Sequence, residues 1–325
     1  MVLWSYYYST MKLNNKYLVI INPTSGPKSF KNISEIIREF LIKAEYDFDI
    51  FLSEYKNHIT KHLIALSPGI YTDMIIWGGD GTFNEVINGL FKRKDNYLPY
   101  LGLLPGGSGN SVMHDLQATT LNQALKLITK NKKKMIDVMK IEYSNKVNYS
   151  INIAGWGLVA DIANLAEKFR WLGTSRYTLA SLVYILKSKK REAIFTIDHK
   201  QFKGNYLFIT ISNTIFTGKG MKIAPHARLD DGLLDINVIR NNINKIQLFK
   251  LLPQLFTGRH IKSPYVEYIQ GKNITIDFDG KQSINIDGEI ILGDDCRIGA
   301  NACLLNKVIV EPGVKILNGG IIGEN

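Results

Sequence analysis

MIIWGGDGTFNEVINGL, residues 74–90, joins a short apolar run to a helical pattern through a glycine-rich turn. Met74 to Trp77 has the length and composition of a buried strand, and Phe83 to Phe91 carries apolar residues at helical spacing. Between them, Gly78, Gly79 and Gly81 let backbone approach a ligand closely, and the N-terminus of the following helix offers unpaired N–H groups to phosphate. Asp80 stands among these glycines, where its carboxylate could hold Mg²⁺ or accept a hydroxyl proton. A plain tight turn with Asp80 as helix cap is the alternative reading of this segment taken alone.

The same arrangement recurs on both sides. Tyr17 to Asn22 (YLVIIN) is a β-branched run stopped by Pro23, and Ser34 to Ala44 is helical. Asp47 to Leu52 reads as a strand, and His58 to Leu66 as a helix. Leu101 to Leu104 is a strand that ends in Pro105-Gly106-Gly107-Ser108-Gly109-Asn110, a second glycine-rich loop. Strand and helix in alternation imply a parallel sheet with helices on its faces, and such sheets bind ligands beyond the carboxyl ends of their strands. Neither glycine loop is a Walker loop or a dinucleotide fingerprint, and protein-kinase signatures are missing.

Past the lysines at 130–134 the texture changes. Met135–Tyr143, Val147–Ala154, Ala193–Ile197, Tyr206–Ser212, Leu233–Arg240, Asn273–Phe278 and Ser283–Ile286 are strand-like. One helical insert, Ala160–Lys190, and a second helix, Ile246–Phe256, interrupt them. From Leu292 an aliphatic residue recurs about every six positions, a left-handed β-helix pattern similar to the hexapeptide repeats of acyltransferases. The run is shorter than such coils need and holds no histidine for acyl transfer, so it reads as a tail packed on the second domain or on another subunit. The expected organisation is therefore an α/β domain over 11–134, a β-rich domain over 135–290 and a β-helix-like tail over 291–325. Met11 competes with Met1 as the initiator.

The chain has 325 residues, of which 45% are apolar and 21% charged, enough for two domains with sizeable cores. No apolar run approaches the roughly 18 residues of a spanning helix, and the N-terminus is not a convincing signal peptide. Cys296 and Cys303 cannot staple a chain this long, and a reducing compartment follows as the better expectation. The net charge of +11 is partly clustered at Lys92–Lys94, Lys130–Lys134 and Lys187–Arg191. Such clusters are either solvated helix ends or a surface for anions, and no zinc-finger or RNP-like pattern points to nucleic acid.

Several ordered blocks from about Tyr17 to Glu289 resemble the diacylglycerol kinase catalytic superfamily, and within it the sphingosine kinases. They are NPTSG (22–26), SEYKNH (53–58), GGDGTFNEVINGL (78–90), LPGGSGN (104–110), WGLVAD (156–161) with EKFRWLGTSRYTL (167–179), PHARLDDGLLD (225–235) and DGE (287–289). The resemblance implies a phosphofructokinase/NAD-kinase-like α/β domain and a β-sandwich-like second domain. It implies an ATP- and Mg²⁺-dependent lipid kinase, in which Asp80 is the base that deprotonates the lipid's primary hydroxyl. Asn22, Thr24, Ser53, Gly79, Gly81, Thr82 and Ser108 would line the ATP site, and Arg170 and Arg176 would clamp its phosphates. Asp287 and Glu289 would close the nucleotide–Mg²⁺ site, with Asp287 on the metal; Asp231 is a weaker candidate, better read as a turn residue.

The same resemblance makes Asp161 the partner of a protonated sphingoid amine, so the expected substrate is sphingosine and the product its 1-phosphate. Diacylglycerol and ceramide kinases are the alternatives, since Asp161 could instead cap a helix starting at Ile162. The segment from Tyr177 to Leu186 would cover an acyl chain or serve as ordinary core. The basic end after it suits peripheral contact of a cytoplasmic enzyme with an anionic membrane. A homo-oligomer stays open, and a catalytically inactive lipid-binding adaptor is the alternative of another class.

Overall fold

The computed structural model describes residues 16–26, 30–130, 133–169, 175–187, 191–218, 220–240, 242–287 and 289–309. The first half alternates as its apolar runs dictate: β1 (Lys16–Ile21), α1 (Phe30–Lys43), β2 (Asp47–Leu52), α2 (His58–Ala65), β3 (Asp73–Gly78), α3 (Asp80–Phe91) and β4 (Tyr100–Pro105). Two further helices, α4 (Ser111–Asp115) and α5 (Leu121–Thr129), follow. The strands lie parallel in the order β4-β3-β1-β2. All of β3 is buried and so is β1 after its first residue, which is why both are continuous apolar runs rather than alternating ones. Ile20, Ile76, Leu104, Phe83 and Leu41 form the centre of this lobe's core.

The second half is antiparallel. It comprises β5 (Lys133–Tyr143), β6 (Lys146–Ser150), β7 (Ile153–Gly157), α6 (Leu158–Lys168), α7 (Ser175–Leu186), β8 (Arg191–Ile197), β9 (Lys200–Ser212) and β10 (Leu234–Arg240). Then come α8 (Lys245–Leu251), the single-turn α9 (Gln254–Thr257), β11 (Val266–Gly271), β12 (Asn273–Ile286) and β13 (Glu289–Ile309). The ladder runs β11-β10-β9-β7-β12-β13, with β8 bonded to both β9 and β12. Trp156, Phe195 and Tyr206 fill the core between its layers.

Several elements differ from their sequence reading. The helical insert is two helices, and the first begins at Leu158 because Gly157, at φ +80°, turns the chain out of β7. Val147–Ala154 is two strands, β6 and β7. Asn273–Phe278 and Ser283–Ile286 are one strand, β12, with a register shift between Asp277 and Gln282. The helix expected at Ile246–Phe256 is broken before Pro253, which caps α9. The hexads of the expected β-helix tail also run differently: residues 291–309 belong to β13, one strand pairing antiparallel with both β12 and β5 and touching β4 at Val308↔Leu101. A coil of so few hexads would leave its edges without partners, whereas an insertion between β12 and β5 satisfies a ladder on each side. Residues 310–325 of that tail, like 1–15, lie outside the described residues.

Candidate active site

The carboxyl ends of β1, β3 and β4 carry three glycine loops that meet backbone to backbone. A Cβ on Gly26 would lie 2.5 Å from the carbonyl oxygen of Gly106, and one on Gly107 would lie 2.4 Å from Cα of Gly79. Gly106 N–H donates to the Gly78 carbonyl at 2.7 Å, which zips the second loop to the third. Gly79 has φ −101°, a conformation open to any residue, so close approach rather than backbone freedom demands glycine there. The result is a seam of bare main chain over the N-terminus of α3, rich in peptide N–H groups and positive helix-end charge.

Polar side chains fix the first loop to this seam. Asn22 Nδ2 donates to Thr82 Oγ1 at 3.0 Å, and Asn22 Oδ1 accepts from the backbone N–H and the hydroxyl of Thr24 at 3.0 and 2.8 Å. Ser53 is buried beside it, its N–H donating to the Ile21 carbonyl at 2.9 Å. Asn110, at φ +52°, closes the third loop on itself: Oδ1 accepts from Gly107 N–H at 2.8 Å and Nδ2 donates to Gly107 O at 2.7 Å. Thr24, Gly81 and Ser108 are exposed along the rim.

Asp80 is the first residue of α3. Gly79 occupies the cap position, so Asp80 is not a helix cap. Its carboxylate turns to the third loop, where Oδ1 accepts from Ser111 N–H at 2.8 Å and Oδ2 from the Ser111 hydroxyl at 3.1 Å. Burial pushes this carboxyl above the ordinary carboxylate range, while the Ser111 hydrogen bonds pull it back. Gly109 adjoins it so closely that a Cβ there would lie 3.0 Å from Oδ2.

Asp287 comes from the other lobe, in the turn between β12 and β13 at φ +49°. Its Oδ1 accepts from Ile153 N–H and its Oδ2 from Asn84 Nδ2, both at 2.9 Å. Burial raises this carboxyl to about 6 against the pull of those donors, and the negative charge of Asp80 pushes it further the same way. Asp80 and Asp287 thus lie within electrostatic reach of each other, one from each lobe.

Comparison with known proteins matches this architecture on both lobes. The diacylglycerol kinase catalytic domain matches residues 16–141, and the YegS C-terminal NAD kinase beta sandwich-like domain matches residues 152–298. The chain belongs to the diacylglycerol kinase catalytic superfamily. A sphingosine kinase of Arabidopsis thaliana is 26% identical over 89% of this chain and 72% of that protein. A diacylglycerol kinase of Staphylococcus carnosus is 26% identical over 83% of this chain and 87% of that protein. The crystal structure of a diacylglycerol kinase from Bacillus anthracis str. Sterne superposes with TM-score 0.73 at 25% identity, covering 92% of this chain and 98% of that one. As a member of this superfamily the chain is an ATP-dependent lipid kinase.

Not every expected residue converges on the kinase's glycine seam. Asp161 lies in α6, which starts at Leu158, so it caps no helix; its Oδ2 is held at 2.6 Å by the guanidinium of Arg191 at the start of β8. Asp231 accepts from Leu233 N–H at 3.0 Å, the part of a turn residue. Arg170 and the side chains of Arg176 and Glu289 lie outside the described residues. The sequence reading gave no role to Asn84, Asn110, Ser111 or Asp115. Asn84 could have been found as a polar residue one helical turn after Asp80, and Asn110 as a residue tolerant of positive φ after a glycine run. Among the described residues, no helix is long and apolar enough to cross a membrane.

Proposed function

We propose that this kinase transfers the γ-phosphoryl group of ATP to the primary hydroxyl of a lipid alcohol, with Asp80 taking the hydroxyl proton. The observation that carries this reading is a half-buried carboxylate, oriented by Ser111, at the foot of a seam of bare glycine main chain that suits close approach of a phosphate chain. Bound ATP with Mg²⁺ supplies the phosphoryl group and neutralises its charge. The residues present fit that pair: the seam is main chain without side chains at Gly79, Gly106 and Gly107, where the phosphates would lie, and Asp287 on the second lobe would stand near the metal. Asn22, Thr24, Ser53, Thr82 and Ser108 form the nucleotide wall in this reading. Phosphoryl transfer asks the chain mainly to position and to stabilise charge. Ser111 does the first for Asp80, leaving the carboxylate free to receive a proton from a hydroxyl approaching beside Gly109.

For the acceptor, the Asp161–Arg191 ion pair favours a lipid with an uncharged headgroup, of the diacylglycerol kind. An incoming ammonium would have to displace a guanidinium already bonded to Asp161 at 2.6 Å, and a neutral headgroup leaves that pair intact. The sphingoid base is the second reading, supported by the WGLVAD block and by the sphingosine kinases among the relatives. ATP-dependent transfer to diacylglycerol, sphingosine and ceramide, measured side by side in mixed micelles, tests both. We expect phosphate on diacylglycerol and a loss of about 100-fold or more in Asp80→Asn. Activity of Asp80→Asn at the wild-type rate would remove Asp80 as base, and transfer to sphingosine alone would overturn the neutral acceptor.

A further inference from the structure

Between β9 and β10, Thr217 and Met221 pair to form a small hairpin that the nucleotide chemistry leaves unused. Thr217 and Met221 are bridged by a pair of backbone hydrogen bonds of 2.9 and 3.1 Å, and Gly218 and Gly220 take φ +54° and +82° to make the turn. The hairpin sits directly against the catalytic centre. A Cβ on Gly109 would lie 3.0 Å from Asp80 Oδ2 and 3.5 Å from the Gly218 carbonyl oxygen, so carboxylate, third loop and hairpin share one small space.

α4 holds the hairpin in this position. Asp115, at its end, accepts from the N–H groups of Ile215 at 2.8 Å and Phe216 at 3.2 Å. The preceding residue, His114, packs its ring on Phe216 with centroids 5.3 Å apart. Ile215, Phe216 and Met221 are only half-buried, which leaves an apolar surface beside a reactive carboxylate. Hydrophobic side chains next to a proton acceptor suit a hydroxyl carried on a hydrocarbon-rich molecule, since the apolar portion gains by leaving water while the hydroxyl reaches the base.

We propose that residues 215–218, with 220 and 221, form the acceptor-side wall of the active site, that Phe216 contacts the apolar part of the lipid, and that Asp115 is a positioning residue holding this wall against Asp80. The inference rests on the lipid kinase reading above. Asp115→Asn keeps the size of the side chain but turns one acceptor into a donor facing a peptide N–H, which releases one side of the hairpin. Phe216→Ala removes the apolar contact without touching the tether.

The test is steady-state kinetics on 1,2-dioctanoylglycerol in mixed micelles with ATP varied separately, together with a thermal melt of each variant. We expect the KM for the lipid to rise about tenfold in both variants, with the KM for ATP within about twofold of wild type and the melt still cooperative. A purely structural role would move both KM values or the melt. Equal loss on ATP and lipid, or an unchanged lipid KM in an active wild-type background, overturns the hairpin assignment and leaves the kinase standing. A wild-type protein that phosphorylates no lipid alcohol overturns the kinase reading and this one with it.

Discussion

Replacing Gly107 by alanine adds a single methyl group where the second and third loops touch. Its Cβ would lie 2.4 Å from Cα of Gly79, more than 1 Å inside the roughly 3.5–4 Å of ordinary carbon contact. The obstacle is backbone, and Gly106 N–H is already bonded to Gly78 O beside it, so neither loop has a side chain that can swing away. Overpacking of this kind costs about 1–3 kcal/mol, or a fall in Tm of roughly 2–10 °C in a domain of this size. The larger effect falls on the nucleotide, because phosphate-binding N–H groups displaced by about 1 Å lose on the order of 100-fold in rate. Gly81→Ala is the matched control. Nothing lies within 4 Å of its Cβ, and alanine is the better helix former by about 1 kcal/mol, so its Tm should hold or rise. Thermal melts and the KM for ATP, measured on both variants, separate the outcomes. Gly107→Ala with wild-type stability and wild-type ATP kinetics would refute the contact between the loops.

Two further outcomes follow from the electrostatics. Arg191→Ala releases Asp161 from its ion pair, so the ratio of sphingosine to diacylglycerol turnover should increase in mixed micelles; an unchanged ratio would show that Asp161 does not face the acceptor. Asp115 has its carboxyl pushed up to about 6 by burial, against the pull of two peptide N–H groups. The folded state therefore holds a proton that the unfolded chain releases near pH 4. The stabilisation from this group is full below that pH and is lost as pH rises through about 6, by about 3 kcal/mol. Denaturant titrations at pH 5 and 7 should show a smaller fall in stability in Asp115→Asn than in the wild type, the remainder coming from groups such as Asp287; equal falls would remove Asp115 as a source.

The parallel lobe was legible because its strands β1, β3 and β4 are buried on both faces, and an apolar run such as YLVIIN or MIIW announces that burial directly. The glycine loops were legible for a related reason, since several glycines within a few residues are costly unless backbone must come close. The antiparallel lobe was harder to divide. The break between β6 and β7, at Ile151 and Asn152, carries neither proline nor glycine, and helix α6 starts on the apolar Leu158 with only Gly157 to mark it. The hexads of β13 failed as a guide because aliphatic and small residues alternate alike in a coil and in a strand; the partners on either side decide, and those lie far away in sequence. Distance also hid the state of Asp161, whose partner Arg191 is 30 residues on. α5, by contrast, was there to be read, with Thr120 and Gln123 forming a full capping box.

One helix face explains why the two lobes meet where the chemistry is. Asp80, Asn84 and Asn88 recur at every fourth residue of α3 and so form a polar stripe along the helix. The first carries the carboxylate proposed as the base. Asn84 Nδ2 reaches both Asp287 Oδ2 and the Tyr149 carbonyl, and Asn88 exchanges hydrogen bonds with the N–H and carbonyl of Tyr149 on β6. Asp287 passes the contact on to Ile153 at the start of β7, the strand that leads to α6. The helix that carries Asp80 therefore also fixes the second lobe, through hydrogen bonds shared among Asn84, Asn88, Tyr149 and Asp287. That fixed geometry suits transfer between two substrates held by different lobes, because the distance from nucleotide seam to acceptor wall is set by the fold before either arrives. On the acceptor side that distance ends at Ile215 and Phe216, tied to α4 through Asp115 and the His114–Phe216 contact, so the wall that meets the lipid is set by the same fold that sets the nucleotide seam.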